Sequence, residues 1–430
     1  MSTTQEAAPP NGVERHRPHR AWAAVVVLAL VGTLNYADRF LPAVLAQPIK
    51  EDLALSDTAI GVINGFGFLI VYAVLGIFIA RIADRGVFGP VIAVCLTLWG
   101  AMTMLGGLVN SGLQLALTRV GVAVGEAGST PAAHAYVAHN FLPERRAAPL
   151  AVITLSIPLA SAGSLLGGGL LAEALGWRTA FIIMGAMSVA VAPIVLLVLG
   201  RRQTIPVAAA GPEQESVKWW ELLRKPSYLA IVTGAACISV AGYSLTTFAP
   251  AFLIRSHHMS LGEVGVQYGI ASGVTGIVGL LFIGRLADGL SVRDPRWPLW
   301  IVAAMTAALI PFSALAFAVD NRVLCVWFIS LSYVVGTAYM APSIAAIQRL
   351  VRPEHRATAS AIFLFFGATI GSAGPFVTGV ISDTLQAAFG ADSLRWALLV
   401  VVPAMQVLAV VLYVVATRRY RQELIDVSTG

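Results

Sequence analysis

Four charged residues stand inside sequence that otherwise favours hydrocarbon. Residues 35–39 read N-Y-A-D-R within one long apolar run, and residues 119–127 read R-V-G-V-A-V-G-E-A within another. A charge at mid-bilayer costs at least roughly 2.5–3.5 kcal/mol. Asp38, Arg39, Arg119 and Glu126 must therefore be paired, or face water, or both. The chemistry such groups offer is reversible protonation. A desolvated carboxylate favours its neutral form, and a nearby guanidinium draws it back to the ionised one. A change in hydration or in arginine distance between two conformations then changes proton affinity, which is the requirement for coupling proton movement to a conformational cycle. The alternative is a static pair that holds two helices together. Arg119 and Glu126 lie seven residues apart, so they share a helix face at about 10 Å. Asp38 and Arg39 diverge by about 100° and cannot pair on one face. Arg39 needs another partner, or it snorkels outward. His134 follows Glu126 by eight residues and suits either a proton relay or a packing role.

These charges need elements that carry them across a membrane. Of 430 residues, 57% are hydrophobic and only 12% charged, about half the charge of a soluble domain. The composition predicts an all-α integral membrane protein. Apolar runs of about 20 residues mark spanning helices. They fall at 21–46, 57–80, 88–109, 112–139, 147–172, 178–200, 227–254, 263–284, 297–319, 323–348, 357–382 and 395–417. The first is too long for a signal-peptide core and is expected to be retained. The formal charge of +6 does not point to nucleic acid, because Lys and Arg gather at the ends of apolar segments. They crowd the N-tail, alternate loops, the central linker and the C-tail. The opposite side holds Lys50, Arg178, Arg255, Arg322 and Arg395. That bias places both termini in the cytoplasm. The reading is an N-tail at 1–20, a six-helix bundle at 21–200, a linker at 201–226 ending in an interfacial or merely connecting segment around Trp219 and Trp220, a second bundle at 227–417, and a C-tail at 418–430. Cys95, Cys237 and Cys325 lie in apolar runs and form no metal or disulfide pattern.

The two halves repeat. Ser56, Gly61, Val62, Gly65, Val74, Phe78, Ile79, Arg81, Ala83 and Asp84 each recur 204 positions later. P-E-R-R-A at 143–147 returns as P-E-H-R-A at 353–357, and G-W-R-T-A-F at 176–181 has an echo in S-L-R-W-A-L at 393–398. Gly163-x-x-x-Gly167 returns as Gly367-x-x-x-Gly371, a spacing that permits close helix contact. Twelve spans, a 6+6 repeat and R-I-A-D-R-G after span 2 resemble the major facilitator superfamily. Its loop pattern G-x-x-x-D-R-x-G-x-R/K is kept here in Asp84 and Arg85, with Ala80 at the first glycine position and the later spacing lost. The second copy, G-R-L-A-D at 284–288, keeps the glycine. N-Y-A-D-R in span 1, D-x-x-x-G-x-x-x-G-F in span 2 and R-x-x-x-x-x-G-E-A in span 4 are similar to the Spinster family, whose eukaryotic members transport sphingolipids and lysophospholipids.

The resemblance implies two pseudo-symmetric six-helix bundles around a cavity lined jointly by spans 1 and 4. Asp38 and Arg119 both lie roughly 10–12 Å below the outer surface, so the expected pair is Asp38–Arg119. It implies a cytoplasmic gate of Asp84, Arg81, Arg85, Arg145, Arg146, Asp288, Arg285 and Arg356, the alternative being charges that only set topology. The expected cavity wall has Asn35, Tyr36, Asn64 and His134 from the charged half, and Tyr243, Thr247, Phe248, Tyr333 and Tyr339 from the uncharged one. A charged wall facing an aromatic wall suits a substrate with a polar head and an apolar tail. The functional expectation is a proton-coupled secondary transporter of a sphingolipid-like or lysophospholipid-like molecule, working by alternating access. Export of drugs or organic anions and a non-transporting receptor are the alternatives. No G-x-x-x-x-G-K-[ST] loop is present, and no nucleophile–base or metal set marks an enzyme. The expected partners are protons, an amphipathic substrate and membrane lipids, without cofactor or nucleic acid. The chain is expected to act as a monomer in a bacterial cytoplasmic membrane.

Overall fold

A computed structural model describes residues 18–65, 68, 71–72, 87–142, 145–200, 219–352 and 355–429. All regular structure among them is helical. In the first half these are α1 (Pro18–Val44), α2 (Ala46–Asp52), α3 (Asp57–Asn64), α4 (Phe88–Gly106), α5 (Gly112–Glu126), α6 (Ser129–Asn140), α7 (Ala147–Thr154), α8 (Ser156–Gly163), α9 (Gly169–Leu175) and α10 (Trp177–Leu199). A short α11 (Trp219–Leu223) precedes the second half: α12 (Pro226–His257), α13 (Leu261–Ser291), α14 (Trp297–Ala318), α15 (Arg322–Ala338), α16 (Met340–Arg349), α17 (Arg356–Gly371), α18 (Ala373–Phe389) and α19 (Ser393–Thr429).

Nine stretches of the described residues are long and apolar enough to cross a membrane. One of them, Thr358–Leu424, holds two expected crossings, α17–α18 and α19. The expected second span falls largely outside the described residues, and the expected fourth is divided at Ala127 and Gly128 between α5 and α6.

Side chains fix where the helices start. Ser56, Ser111 and Asn321 each accept a hydrogen bond from a backbone N–H of the first turn. Ser260 does the same in a reciprocal capping box with Glu263, so the repeated Ser56/Ser260 pair of the sequence is a repeated N-cap. The chain reverses between α9 and α10 at Gly176, whose φ of 82° belongs to the left-handed region. Span 4 breaks one residue after Glu126. The Ser129 hydroxyl donates to the freed Glu126 carbonyl at 3.1 Å. Span 5 contains a π-turn at Ser164–Gly168, where the Ser164 hydroxyl donates to the Ala37 carbonyl of α1 at 3.0 Å.

Three apolar cores organise the packing. One contains only first-half residues, among them Ala24, Leu28, Phe88, Trp99, Tyr136 and Leu199. A second contains Leu222 of α11 and otherwise only second-half residues, including Tyr228, Leu299, Leu350 and Tyr420. The third is shared, with Leu41, Leu45, Trp177 and Phe181 packed beside Phe248, Phe252, Met259 and Phe317. Counting crossings from the N-terminus places this shared core on the face away from both termini. The contacts between halves gather there, between α3 and α18, between α8–α9 and α13, and between α1–α2 and α12. The molecule is closed on the far side, while on the termini side each half has its own core.

The glycines of that closure differ from the expected pair in span 5. Gly163 and Gly167 face open space. Close approaches between the halves include Gly61 and Gly65 against the Pro375 and Ser372 carbonyls, and Gly265 against the Leu165 carbonyl, while Gly371 of the second expected pair packs on Ser239 within its own half. A side chain at Gly61, Gly65 or Gly265 would strike backbone. The repeat relates the two contacts, since Gly61 and Gly265 are 204 residues apart.

The two expected echoes acquire a shared cause. Arg178 donates to the Val109 carbonyl at 3.0 Å, and Arg395 donates to the Phe317 carbonyl at 2.5 Å. Each arginine satisfies a carbonyl left over near the far-side end of a helix. Arg146 donates to the Ala138 and Phe141 carbonyls at the end of α6, and Arg356 donates to the Gln348 carbonyl in the last turn of α16.

Candidate functional site

The four intramembrane charges form two ion pairs. Arg119 of α5 meets Asp38 of α1 at 3.2 Å, and Thr103 of α4 donates to the other Asp38 oxygen at 2.7 Å. Both side chains are buried. The second pair joins Arg39 to Glu126 at 2.8 Å, with the arginine 23% exposed and the glutamate fully enclosed. Arg39 therefore turns inward to a neighbouring helix, and the snorkelling alternative does not occur. Diverging directions on α1 send Asp38 and Arg39 to opposite ends of one α5 face, as the seven-residue spacing of Arg119 and Glu126 allows.

Aromatic rings complete the setting. The Arg39 guanidinium carbon lies 5.1 Å from the Tyr36 ring centroid, 5.0 Å from Phe68 and 4.6 Å from Tyr72. Arg119 lies 5.0 Å from the same Phe68 ring, which stacks on Tyr72. Asn35 donates to Ser129 at 3.3 Å. Several buried polar atoms keep no partner: Asn35 Oδ1, Arg39 Nε, Arg119 Nε and Glu126 Oε1. Such atoms are costly unless a ligand, water or proton uses them.

The remaining expected wall residues separate by environment. Tyr243 is exposed and Asn64 half-buried. Tyr333 and Thr246 line a small pocket between the halves with Phe40, Ser161 and Tyr268. His134 is exposed, five residues into α6. Thr247 is buried and Phe248 fully enclosed in the shared far-side core. Tyr339 is buried in the second-half core, its hydroxyl 2.9 Å from that of Ser239. The structure thus places Phe248 and Tyr339 in packing positions, because each ring is enclosed by neighbours of its own core.

The expected gate is seen only in part. Asp84, Arg81 and Arg85 lie outside the described residues, and of Asp288 only its place in α13 is described. Arg145 and Arg285 are exposed. Arg146 and Arg356 are occupied in capping helix ends, as above, and in this conformation they bond within their own halves.

A second cluster escaped the sequence reading. Asp57, at the first position of α3, is wholly buried. It receives Lys50 at 2.7 Å, both Arg255 terminal nitrogens at 2.7 and 2.8 Å, and the Ser382 hydroxyl at 2.7 Å. Asp383 in turn accepts the backbone N–H groups of Asp57 and Thr58 at 2.9 and 2.8 Å, capping α3 from the opposite half. Gln47 bonds Arg255. These bonds tie α2 and α3 to α12 and α18 across the far-side closure. A signal was present: the repeat aligns Asp57 with Leu261, so a carboxylate stands where its copy is apolar. Phe68, Tyr72 and Thr103 gave no comparable signal.

Apolar helices in number, with four charges paired inside the membrane-spanning part of the first half, define the class of membrane transporters. The family model for the Major Facilitator Superfamily matches residues 28–375, and the chain belongs to that superfamily. It is 67% identical to an MFS-type efflux pump of Mycolicibacterium smegmatis over 99% of both chains. It is 26% identical to protein spinster homolog 1 of Mus musculus, covering 84% of this chain and 73% of that one. Among solved structures it is similar to a bacterial homologue of the human lysosomal transporter Spinster in an inward-facing, unoccupied conformation. That match has a TM-score of 0.83 and 27% identity, and covers 95% of this chain and 99% of the other. The occupied form of that homologue matches with a TM-score of 0.78.

Proposed function

We propose that this chain is a proton-coupled secondary transporter of an amphipathic, lipid-like substrate, with Asp38 and Glu126 as the proton-carrying groups. The carrying observation is the pair of buried ion pairs on the first-half wall, with Glu126 Oε1 and Arg39 Nε unpartnered and Arg39 partly open to the cavity. A static pair would be favoured in a geometry that uses both oxygens and both nitrogens. The Lys and Arg distribution supports cytoplasmic termini, in a bacterial cytoplasmic membrane. The far-side closure then makes this conformation inward-open, as in the similar Spinster homologue. Rocking of the halves 21–200 and 227–417 about the cavity would open the other side, with the Asp57–Arg255 cluster parting as it does so.

The test is flux in proteoliposomes. Wild type is expected to take up a labelled lysophospholipid or sphingoid base in response to a pH gradient. Gradient-independent uptake that is equal in wild type and Asp38→Asn would sink proton coupling. Absence of uptake in both would sink the lipid-like substrate. The 67% identity to a protein described as an efflux pump favours a second reading, export of drugs or organic anions. The same vesicles decide it by competition between substrates.

A further inference from the structure

We propose that the three rings around Arg39 form a binding site for an ammonium head group, and that Arg39 is its tethered internal competitor. The inference rests on the central cavity being the transport site. Tyr36, Phe68 and Tyr72 surround one guanidinium at 4.6–5.1 Å, and Glu126 meets it from another helix. A carboxylate with an aromatic cage is the constellation that recognises quaternary and primary ammonium groups. Here the protein's own cation fills it.

Three features say that the occupant is exchangeable. The Arg39–Glu126 contact uses one oxygen and leaves Oε1 and Nε unpaired, so the stronger bidentate pairing is not made. Arg39 has 23% of its side chain exposed, against 4% for Arg119 and none for the two carboxylates. Of the four charges it is the one most exposed to water. Charge balance points the same way. Two arginines and two carboxylates sum to zero, and an ammonium replacing Arg39 in the cage keeps that sum. An anion added to the enclosed cluster would not. A zwitterionic head group gains twice, since its ammonium enters the cage while its anionic part meets the displaced Arg39.

The experiment is equilibrium binding of radiolabelled dodecyltrimethylammonium to the full chain in lipid nanodiscs, with dodecyl sulfate as the anionic probe of equal tail. Arg39→Ala empties the cage, and the expected result is about tenfold tighter ammonium binding than wild type. Unchanged dodecyl sulfate binding and monodispersity of Arg39→Ala separate that gain from nonspecific uptake by misfolded chain. Adding Glu126→Gln or Tyr72→Leu to Arg39→Ala is expected to abolish that gain, with monodispersity on size exclusion as the folding check. Competition by tetramethylammonium would support the site and assign it to free cations, whereas competition by tailed ammonium probes alone would support it as a lipid-head site. Unchanged or weaker ammonium binding in Arg39→Ala would overturn the proposal, as would dodecyl sulfate competing equally with the ammonium probe. Lysophospholipid flux without an Arg39-dependent ammonium site would remove this inference and leave the transport reading. The reverse pattern would do the opposite.

Discussion

Asp38 and Glu126 occupy one wall but are held differently, and the difference predicts different outcomes. Asp38 uses both oxygens, on Arg119 and Thr103, whereas Glu126 keeps one oxygen free. On the proposed coupling role of Asp38, Asp38→Asn keeps the side chain's shape but removes its titratable proton, so we expect substrate binding to survive while gradient-driven flux falls at least tenfold in proteoliposomes. Arg119→Leu strands a buried carboxylate. Breaking such a pair costs about 3–5 kcal/mol, so a clear drop in melting temperature in detergent is expected. Thr103→Val removes a hydrogen bond to a charged acceptor, a loss of about 1.5–3 kcal/mol, and the drop should be smaller. Equal melting temperatures for Arg119→Leu and wild type would mean that Asp38 is already neutral and needs no partner.

At the scale of elements, α3 and α18 carry the ionic side of the far-side closure, and α9 and α13 carry the close-packed side. Asp57 has partners on both halves, and each is oriented toward it. Asp57→Asn weakens every charged contact at once. The expected result is a population shift toward a far-side-open state, seen as a longer component in pulsed electron resonance between nitroxides at positions 110 and 323, both exposed. An unchanged distance distribution would show that packing alone holds the closure. Gly265→Val places methyls against the Leu165 carbonyl and is expected to disturb the same distance through sterics, with the ionic cluster intact.

For the whole molecule, pH should act through the cavity and not through the far-side loops. Asp52, at the end of α2, is held by Arg178 and Trp177 at the start of α10. The Arg178 hydrogen bond holds its carboxyl below the ordinary carboxylate range, with desolvation opposing it and the Trp177 hydrogen bond adding to it. A depressed folded-state value contributes stability above the unfolded value and loses it as pH falls through the folded one. This staple therefore stays ionised throughout about pH 5–8, the window in which physiological proton switches act. Asp52→Asn is expected to leave the shape of the flux–pH profile unchanged across that window. A shifted profile would place part of the titration at the far side.

The sequence by itself determined the all-α membrane class, the repeat, and the placing of Asp38, Arg39, Arg119 and Glu126 inside apolar spans, because hydropathy and charge placement are local and the bilayer punishes exceptions. It also gave the depth match behind Asp38–Arg119, since helical rise converts residue number into height. Partner choice was not legible in the same way. Whether Arg39 reaches Glu126 depends on how α1 and α5 are rotated, and the rings of Phe68 and Tyr72 enter only when span 2 is laid beside them. Whether Phe248 and Tyr339 face a cavity or a core depends on which side is closed. Asp57 became the junction of two halves through Asp383, 326 residues away. Only the tertiary structure decides such contacts, because they are set by the packing of one half against the other, which no local feature of the chain encodes.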